Sequence, residues 1–176
     1  MKIGVMMSGG LDSSILAAIN RHHTVIGYGF EQLCNNKIFA QKICNILNIP
    51  FQHVEISNDD NNEVTTAVTY VSPLVDQVYV GINKTIDVGD VTYPNRLDLD
   101  YIKDTELKTN VRFPFYNLVK DEILQIGYDL VPEINDIIQY SHTCCASKSF
   151  RCNKCYNCKE RKWAFSKLQR EDHGKY

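Results

Sequence analysis

The fold is decided at residues 2–13, which read KIGVMMSGGLDS. A short apolar run ends at two glycines, and the residues from 13 to 21 then place apolar side chains at helical spacing. An apolar run, a glycine-containing break and an amphipathic segment predict a buried strand, a tight turn and a helix. The stretch therefore predicts the strand–turn–helix corner at which open α/β sheets bind their ligands.

The same alternation of strand and helix patterns continues along the chain. We predict strands over 24–30, 51–56, 77–82 and 111–115, and helices over 36–48, 63–72, 118–127 and 159–170, with a short helical stretch after Pro132. Asn117 is the predicted N-cap of the helix over 118–127, and Gly127 is its predicted end. The alternation predicts an α/β fold with a parallel, doubly wound sheet of about five strands.

Length and composition favour one folded domain. The chain has 176 residues, of which 44% are hydrophobic and 23% charged. These values are typical of globular domains and exclude wholesale disorder. No apolar run approaches the ~20 residues of a membrane-spanning helix. The residues before the glycines are too few for a signal peptide, so we expect a cytoplasmic protein.

Positive charge is concentrated towards the C-terminus. Residues 148–176 hold nine of the nineteen Lys and Arg and three of the twenty-one acidic residues, a net charge of +6, whereas residues 1–147 carry −8. Two interpretations stay open. The segment is either a solvated helix face or an edge that binds anions or nucleic acid.

Residues 8–13 carry the residue types of an anion-binding loop. Gly9 and Gly10 let the backbone approach a ligand, and their N–H groups together with a helix N-terminus favour phosphate. Ser8 and Ser13 add hydroxyl donors, and Asp12 is expected to hold Mg²⁺ or to orient the loop. The P-loop signature and the dinucleotide-binding glycine pattern are both absent. The alternative interpretation is a glycine-rich turn with no ligand.

Seven cysteines, five of them in a short C-terminal stretch, favour a metal site over a disulfide scaffold. Two residues separate Cys152 from Cys155 and Cys155 from Cys158, and Cys144 or Cys145 lies upstream. This spacing lets two thiolates from one turn reach one Zn²⁺, and four thiolates close a tetrahedral site. We predict structural zinc. The alternatives are an iron–sulfur cluster, although the last cysteine and the proline of the ferredoxin run are missing, and thiols without a ligand.

The two motifs together resemble one family. The Ser-Gly-Gly-x-Asp-Ser stretch resembles the pyrophosphate loop of the ATP-pyrophosphatase superfamily, and the cysteine spacing is similar to that of 7-cyano-7-deazaguanine synthases. Further stretches similar to this family are residues 80–83, 93–94, 115–127, 141–144, 152–161, 163–165 and 171–172. The resemblance covers both ends of the chain and much of its second half. It implies that Cys144, and not Cys145, is the fourth metal ligand.

The resemblance implies a ligase that converts 7-carboxy-7-deazaguanine, ATP and free ammonia to 7-cyano-7-deazaguanine through adenylated intermediates. It implies ATP, Mg²⁺ and Zn²⁺ as cofactors, a homodimer, and a small-molecule substrate in place of nucleic acid or membrane. We expect a nucleotide-binding domain over 1–140 with a zinc-binding segment, 141–176, packed on it.

The resemblance also implies roles for individual residues. Ser8, Asp12 and Ser13 would be catalytic, and Asn83, Tyr93 and Pro94 would contact the substrate. The metal ligands would be Cys144, Cys152, Cys155 and Cys158. The nucleotide would be bound by Met7, Ser8, Gly9, Gly10, Leu11, Asp12, Ser13, Ser14, Ile15, Leu16 and Ala17.

The sequence departs from the family's pattern at three places. The family's Tyr-Gly-Gln-Arg-His is YGFEQ at residues 28–32, its Val-Pro-x-Arg-Asn segment has no counterpart, and Asn95 replaces an Asp. Other functions therefore stay open. These are a variant that stops at the amide, a tRNA thiolation enzyme with Cys34 or Cys145 carrying sulfur, and a zinc-stabilised nucleic-acid-binding module.

Overall fold

The computed structural model describes residues 1–29, 37–55, 63–89, 98–147 and 149–174. The strands in this part of the chain are Lys2–Met6 (β1), Thr24–Gly29 (β2), Phe51–His53 (β3), Gln77–Val80 (β4) and Val111–Arg112 (β5). They form one sheet in the order β3-β2-β1-β4-β5, and every neighbouring pair is parallel. The predicted α/β class and number of strands are confirmed.

The helices of the described residues cover both faces of this sheet. They are Leu11–Ile19 (α1), Lys37–Ile46 (α2), Glu63–Val71 (α3), Leu99–Lys108 (α4), Lys120–Leu130 (α5), Ile134–Tyr140 (α6) and Tyr156–Lys167 (α7), with a 3₁₀ turn at Ser72–Leu74. None of them combines the length and the apolar character that a bilayer crossing requires.

Alternate residues of the central strand β1 belong to two separate cores. Ile3 and Val5 pack with buried residues of α1, α2, α5 and α6, whereas Met6 packs with Val78 and Val80 of β4 and with residues of α3 and α4. A strand that is buried on both faces needs such a nearly continuous apolar run. The sheet is therefore doubly wound, as predicted.

The topology fixes where a ligand would bind. From β1 the chain continues to β2 and β3 on one side, and then crosses to β4 and β5 on the other. In open α/β sheets the ligand lies beyond the carboxyl ends of the strands where this reversal occurs. Here that point lies between the ends of β1 and β4.

Two predictions about the second half of the chain are wrong. The helix predicted over 118–127 begins at Lys120 and passes through Gly127 to Leu130. A Cβ at Gly127 would lie 2.9 Å from Ile15 and 2.7 Å from Ile134, so this glycine serves close helix packing and does not end the helix. The N-cap is Val119, whose N–H donates to the Glu122 carboxylate at 2.9 Å, and not Asn117.

Helix α4 was missed by the sequence analysis, and several predicted strands are too long. In α4 only Ile102 is buried, while Leu107 is 84% exposed, so its sequence has no clear apolar face. The strands predicted to end at 82 and 115 end at Val80 and Arg112. The strand predicted over 51–56 ends at His53, and residues 54 and 55 are described but are not in a strand. Residue 30, the predicted end of the second strand, and the predicted polar loop at 57–62 lie outside the described residues.

Candidate functional site

The loop after β1 is closed on itself by the hydroxyls of Ser8 and Ser13. The Ser8 N–H donates to Ser13 Oγ at 3.3 Å, the two Oγ atoms are 3.1 Å apart, and the Gly10 N–H donates to Ser8 Oγ at 3.2 Å. Ser14 Oγ donates to the Gly10 carbonyl at 2.6 Å. Gly9 has φ = 75°, a conformation that a residue with a Cβ rarely adopts. The loop therefore has a defined shape at the N-terminus of α1.

The end of β4 packs directly against this loop. A Cβ at Gly81 would lie 3.1 Å from both the N and the Cα of Ser13, which only a glycine avoids without moving the helix start. Gly81 leads into Asn83, which is buried. Loop residues 8–13 and the predicted substrate residue Asn83 are thus brought together at the topological switch point.

A buried charge network joins the loop to two other helices. Lys120, the first residue of α5, places its Nζ 2.6 Å from Asp12 Oδ2 and 3.1 Å from Glu160 Oε2 of α7. Glu160 Oε1 accepts a hydrogen bond from Asn83 Nδ2 at 3.1 Å and one from the Tyr156 hydroxyl at 3.4 Å. Buried charges require such pairing because desolvation is costly. No sequence motif assigns a role to Lys120 or singles out Glu160.

A cleft of about 210 Å³ opens beside Asn83. Its walls come from the segment after β4, from α4 and from the segment before α5, and the residues are Ile82, Asn83, Lys84, Thr85, Leu99, Ile102, Tyr116 and Asn117. The lining combines apolar side chains with amides, a hydroxyl and an ammonium group. That mixture is typical of small-molecule sites.

Four thiols converge near the C-terminus. The Sγ atoms of Cys144, Cys152, Cys155 and Cys158 all lie within 4.8 Å of one another. Asn153, with φ = 56°, turns the chain between the first two cysteines of the repeat, and Cys155 is the N-cap of α7. Four thiolates this close together fit a closed tetrahedral zinc site. The adjacent Cys145 is disulfide-bonded and lies outside the cluster.

Backbone hydrogen bonds make one cluster thiol acidic. The N–H groups of Cys155 and Lys154 donate to Cys152 Sγ at 3.2 and 3.4 Å, and they lower the pKa of Cys152 to about 6. Burial instead raises the pKa of Cys158. A metal ligand must be a thiolate, so the backbone hydrogen bonds favour the ligating form of Cys152, whereas burial opposes it at Cys158.

The segment that carries the first cluster cysteine also covers the loop. The His142 N–H donates to the Gly9 carbonyl at 2.8 Å, and Thr143 lies against Gly10. The Thr143 hydroxyl is buried and finds no hydrogen-bond partner among the described residues. The cysteine cluster is therefore connected to the loop through two consecutive residues before Cys144.

The remaining predicted site residues fall into two groups. Residues of the first group have their side chains in the hydrophobic core, so only their backbone atoms could contact a nucleotide. They are Met7, Leu11, Ile15, Leu16 and Ala17. Tyr93 and Pro94, predicted to contact substrate, and Cys34, a predicted sulfur carrier, lie outside the described residues.

Two family models match the chain. The model described as queuosine biosynthesis protein QueC matches residues 78–169, just over half of the chain, and the model described as asparagine synthase matches residues 1–83. No curated protein matches significantly.

Solved structures also match. One of them is the crystal structure of phosphoribosylglycinamide formyltransferase from Anaplasma phagocytophilum, at 16% identity and a TM-score of 0.33. That match covers 73% of this chain and 58% of the other, so this chain spans less than two thirds of that protein's length. A similarity this low carries no functional argument.

Proposed function

The chain belongs to the queuosine biosynthesis protein QueC family, and on this premise we propose that it is an ATP-dependent ligase that makes 7-cyano-7-deazaguanine. Its substrates would be 7-carboxy-7-deazaguanine, ATP and free ammonia. The observation that carries the proposal is the closed Ser-Gly-Gly-x-Asp-Ser loop at the switch point, next to Asn83 and its cleft. The match of the asparagine synthase model to residues 1–83 supports the use of ATP.

The proposed reaction replaces poor leaving groups by good ones. A carboxylate oxygen attacks the α-phosphorus of ATP and pyrophosphate leaves, and ammonia then displaces AMP to give an amide. The amide oxygen attacks the α-phosphorus of a second ATP, and loss of AMP and a proton leaves the nitrile. The protein has to hold the reactants in line and to stabilise the departing pyrophosphate.

The loop residues are suited to hold the phosphates. The backbone around Gly9 and Gly10 leads into the N-terminus of α1, which favours a negative charge. Asp12 Oδ1 is buried and has no hydrogen-bond partner among the described residues, an arrangement that fits a divalent cation. Bound Mg²⁺ would neutralise phosphate charge at this point.

The cleft beside Asn83 is the proposed site of the deazaguanine acid. Its lining includes Asn83, two residues after Gly81, which packs against Ser13 of the loop, and we place the acceptor there for that reason. Tyr116 offers a ring for stacking on a planar base, Asn117 offers an amide, and Lys84 offers a positive charge for the carboxylate.

We further propose that the four-cysteine cluster holds Zn²⁺ in a structural role. Four thiolates leave no open coordination position, so the metal would not contact substrate. Residues 141–176 would then form a metal-binding segment packed on residues 1–140. The contacts of His142 with Gly9 and of Glu160 with Lys120 support this arrangement.

Product analysis tests the function. The protein is incubated with 7-carboxy-7-deazaguanine, ATP and ammonium, and the products are identified by mass spectrometry. We expect the nitrile together with two AMP per nitrile. An amide with one AMP would support a variant that stops halfway, and a thiolated base formed with tRNA and a sulfur donor would support the thiolation enzyme. Absence of AMP in all these reactions would contradict the proposal.

A further inference from the structure

Lys120 is shared by two carboxylates from different parts of the fold. Its side chain is 3% exposed and lies between Asp12 of the loop and Glu160 of α7, which are 13% and 0% exposed. The contact with Asp12 is the shorter, 2.6 Å against 3.1 Å. Desolvation of a fully buried carboxylate is costly, and Glu160 offsets it through Lys120, Asn83 and Tyr156.

The two oxygens of Asp12 have different surroundings. Oδ2 contacts Lys120, whereas Oδ1 is buried and has no hydrogen-bond partner among the residues that the structure describes. One oxygen of this carboxylate is therefore paired with an ammonium group, and the other is available to a cation. To bind a divalent ion fully, Asp12 has to weaken its contact with Lys120.

Glu160 makes that exchange possible. When Asp12 turns towards a cation, Lys120 still keeps a negative partner in Glu160, so no buried ammonium loses its counter-charge. Glu160 itself is held by the Asn83 amide and lies 3.4 Å from the Tyr156 hydroxyl, whose single proton is shared between Glu160 and the Ile86 carbonyl and whose oxygen accepts the Ile86 N–H. The carboxylate therefore stays in place while Asp12 moves.

We propose that Glu160 is a positioning residue that balances the charge of Lys120 and so frees Asp12 to bind the divalent cation of a magnesium nucleotide. This inference rests on the magnesium–ATP site of the proposed function, but on neither its acceptor substrate nor its product. It assigns to the helix that carries Cys158 a part in nucleotide binding, through a side chain two positions further along α7.

The test compares nucleotide binding with and without magnesium in Glu160→Gln. The probe is α,β-methylene-ATP, which cannot be cleaved at the reacting bond, and its affinity is measured by calorimetry with saturating Mg²⁺ and without added divalent cation. In the variant, Asp12 supplies a larger share of the counter-charge of Lys120. Moving Asp12 towards a cation therefore costs more free energy. We expect the enhancement of binding by Mg²⁺ to fall at least about tenfold, since breaking a buried pair is costly.

The measurement without magnesium distinguishes this role from a structural one. The variant removes one negative charge from the site, so affinity for the free nucleotide should stay equal or rise. An equal loss of affinity with and without Mg²⁺ would indicate only a damaged fold and would overturn the proposal. An unchanged enhancement by Mg²⁺ would overturn it as well.

Two further variants keep the test decisive. Glu171→Gln, at a side chain that is 88% exposed, is the matched control and should leave the enhancement unchanged. Glu160→Asp keeps the charge at a longer distance and should lie between the parent and Glu160→Gln. If Glu160→Gln does not fold, the test uses Glu160→Asp. An enhancement of nucleotide binding by Mg²⁺ in Glu160→Asp that equals that of the parent protein overturns the proposal. A protein that binds the analogue as expected but forms no nitrile would contradict the proposed function alone.

Discussion

Ser13 is the residue on which the shape of the loop depends most. Its Oγ accepts the Ser8 N–H, lies 3.1 Å from Ser8 Oγ, and is 3.3 Å from the Gly10 carbonyl, to which it can donate. Its backbone is also the surface against which Gly81 packs. One side chain thus holds both ends of the turn between β1 and α1.

Ser13→Ala is predicted to lower the rate of AMP formation by about 10²-fold or more, the usual cost of removing one preorganised donor at a developing negative charge. The thermal midpoint should change little, because the backbone hydrogen bonds of α1 remain. AMP released in the presence of acceptor and ammonium is measured by chromatography. Ser166→Ala, at an exposed position of α7, is the control. Parental turnover in Ser13→Ala would remove Ser13 from the catalytic residues.

At the level of single residues, local sequence signals could predict only part of the site. Ser8, Asp12 and Ser13 stand directly after a strand, and the cysteines have a diagnostic spacing, so their neighbourhoods follow from the sequence. The ion pair between Asp12 and Lys120 joins residues 108 positions apart. Nothing local indicates it. Glu160 lies in a strongly basic segment, where a lone acidic residue suggests a solvated position.

At the level of elements, buried pairing and not amphipathicity fixes α7. Arg161 is buried, and its guanidinium donates to both oxygens of Asp172 at 2.8 and 2.9 Å, to Ser141 Oγ at 2.7 Å and to the Ile138 carbonyl at 2.9 Å. These contacts tie α7 to the end of α6 and to the residues after α7. The sequence predicted a helix here but began it at 159, three residues late, because the cysteines interrupt its polar pattern.

The strand–helix order of the first half was predicted nearly completely, because buried parallel strands and amphipathic helices leave clear apolar patterns. Helix α4 was missed for the opposite reason. Leu99, Tyr101 and Leu107 are exposed, and the helix begins through the side chain of Asp98, which accepts the N–H of Asp100 at 3.1 Å. A helix held by a cap and a single buried residue has no periodic signal.

Asp172→Asn is predicted to reduce the free energy of unfolding by about 3–5 kcal/mol at pH 7, since it leaves the buried Arg161 with a neutral partner. Burial by itself would raise the pKa of Asp172, but hydrogen bonds and charge from Arg161, with Arg151, lower it overall. A carboxyl whose pKa is lower in the folded state stabilises the fold above its unfolded pKa. That contribution is lost as the pH falls through the folded pKa.

The difference in stability between the parent and Asp172→Asn should therefore persist at pH 5–7 and close below about pH 4. Urea unfolding followed by circular dichroism at several pH values measures it. Asp104→Asn, which removes one partner of an exposed pair with Lys108, should show almost no difference. A stability difference between the parent and Asp172→Asn that widens towards low pH would contradict the ion pair between Arg161 and Asp172.

At the level of the whole molecule, part of the C-terminal positive charge is used in contacts within the protein. Arg151 and Arg161 pair with Asp172, and Arg170 lies over the ring of Tyr128 at 4.0 Å. These three of the nine basic residues of 148–176 contribute to the net charge of +6 but already have partners within the protein. Part of the charge asymmetry of the sequence is therefore explained by internal contacts.

The cysteine cluster connects the segment that covers the loop with α7. Cys144 follows the two residues that cover the loop, and Cys158 belongs to the helix that carries Glu160 and Arg161. A metal bound by both cysteines would hold α7 and the residues that cover the loop, His142 and Thr143, in one arrangement. Binding of a structural zinc contributes directly to folding free energy, so its loss should affect the loop as well as the C-terminal segment.

Cys144→Ser and Cys145→Ser separate this role from a general effect of replacing a cysteine. Cys144→Ser is predicted to abolish stoichiometric zinc, measured by atomic absorption, and to weaken binding of α,β-methylene-ATP, because the His142 contact to Gly9 loses its anchor. Cys145→Ser should retain zinc, since its sulfur is outside the cluster. The sheet should persist in both variants, because most buried residues of its two cores come from the strands and from α1 to α6. Full nucleotide affinity in a zinc-free Cys144→Ser protein would show that nucleotide binding by the loop does not depend on the metal.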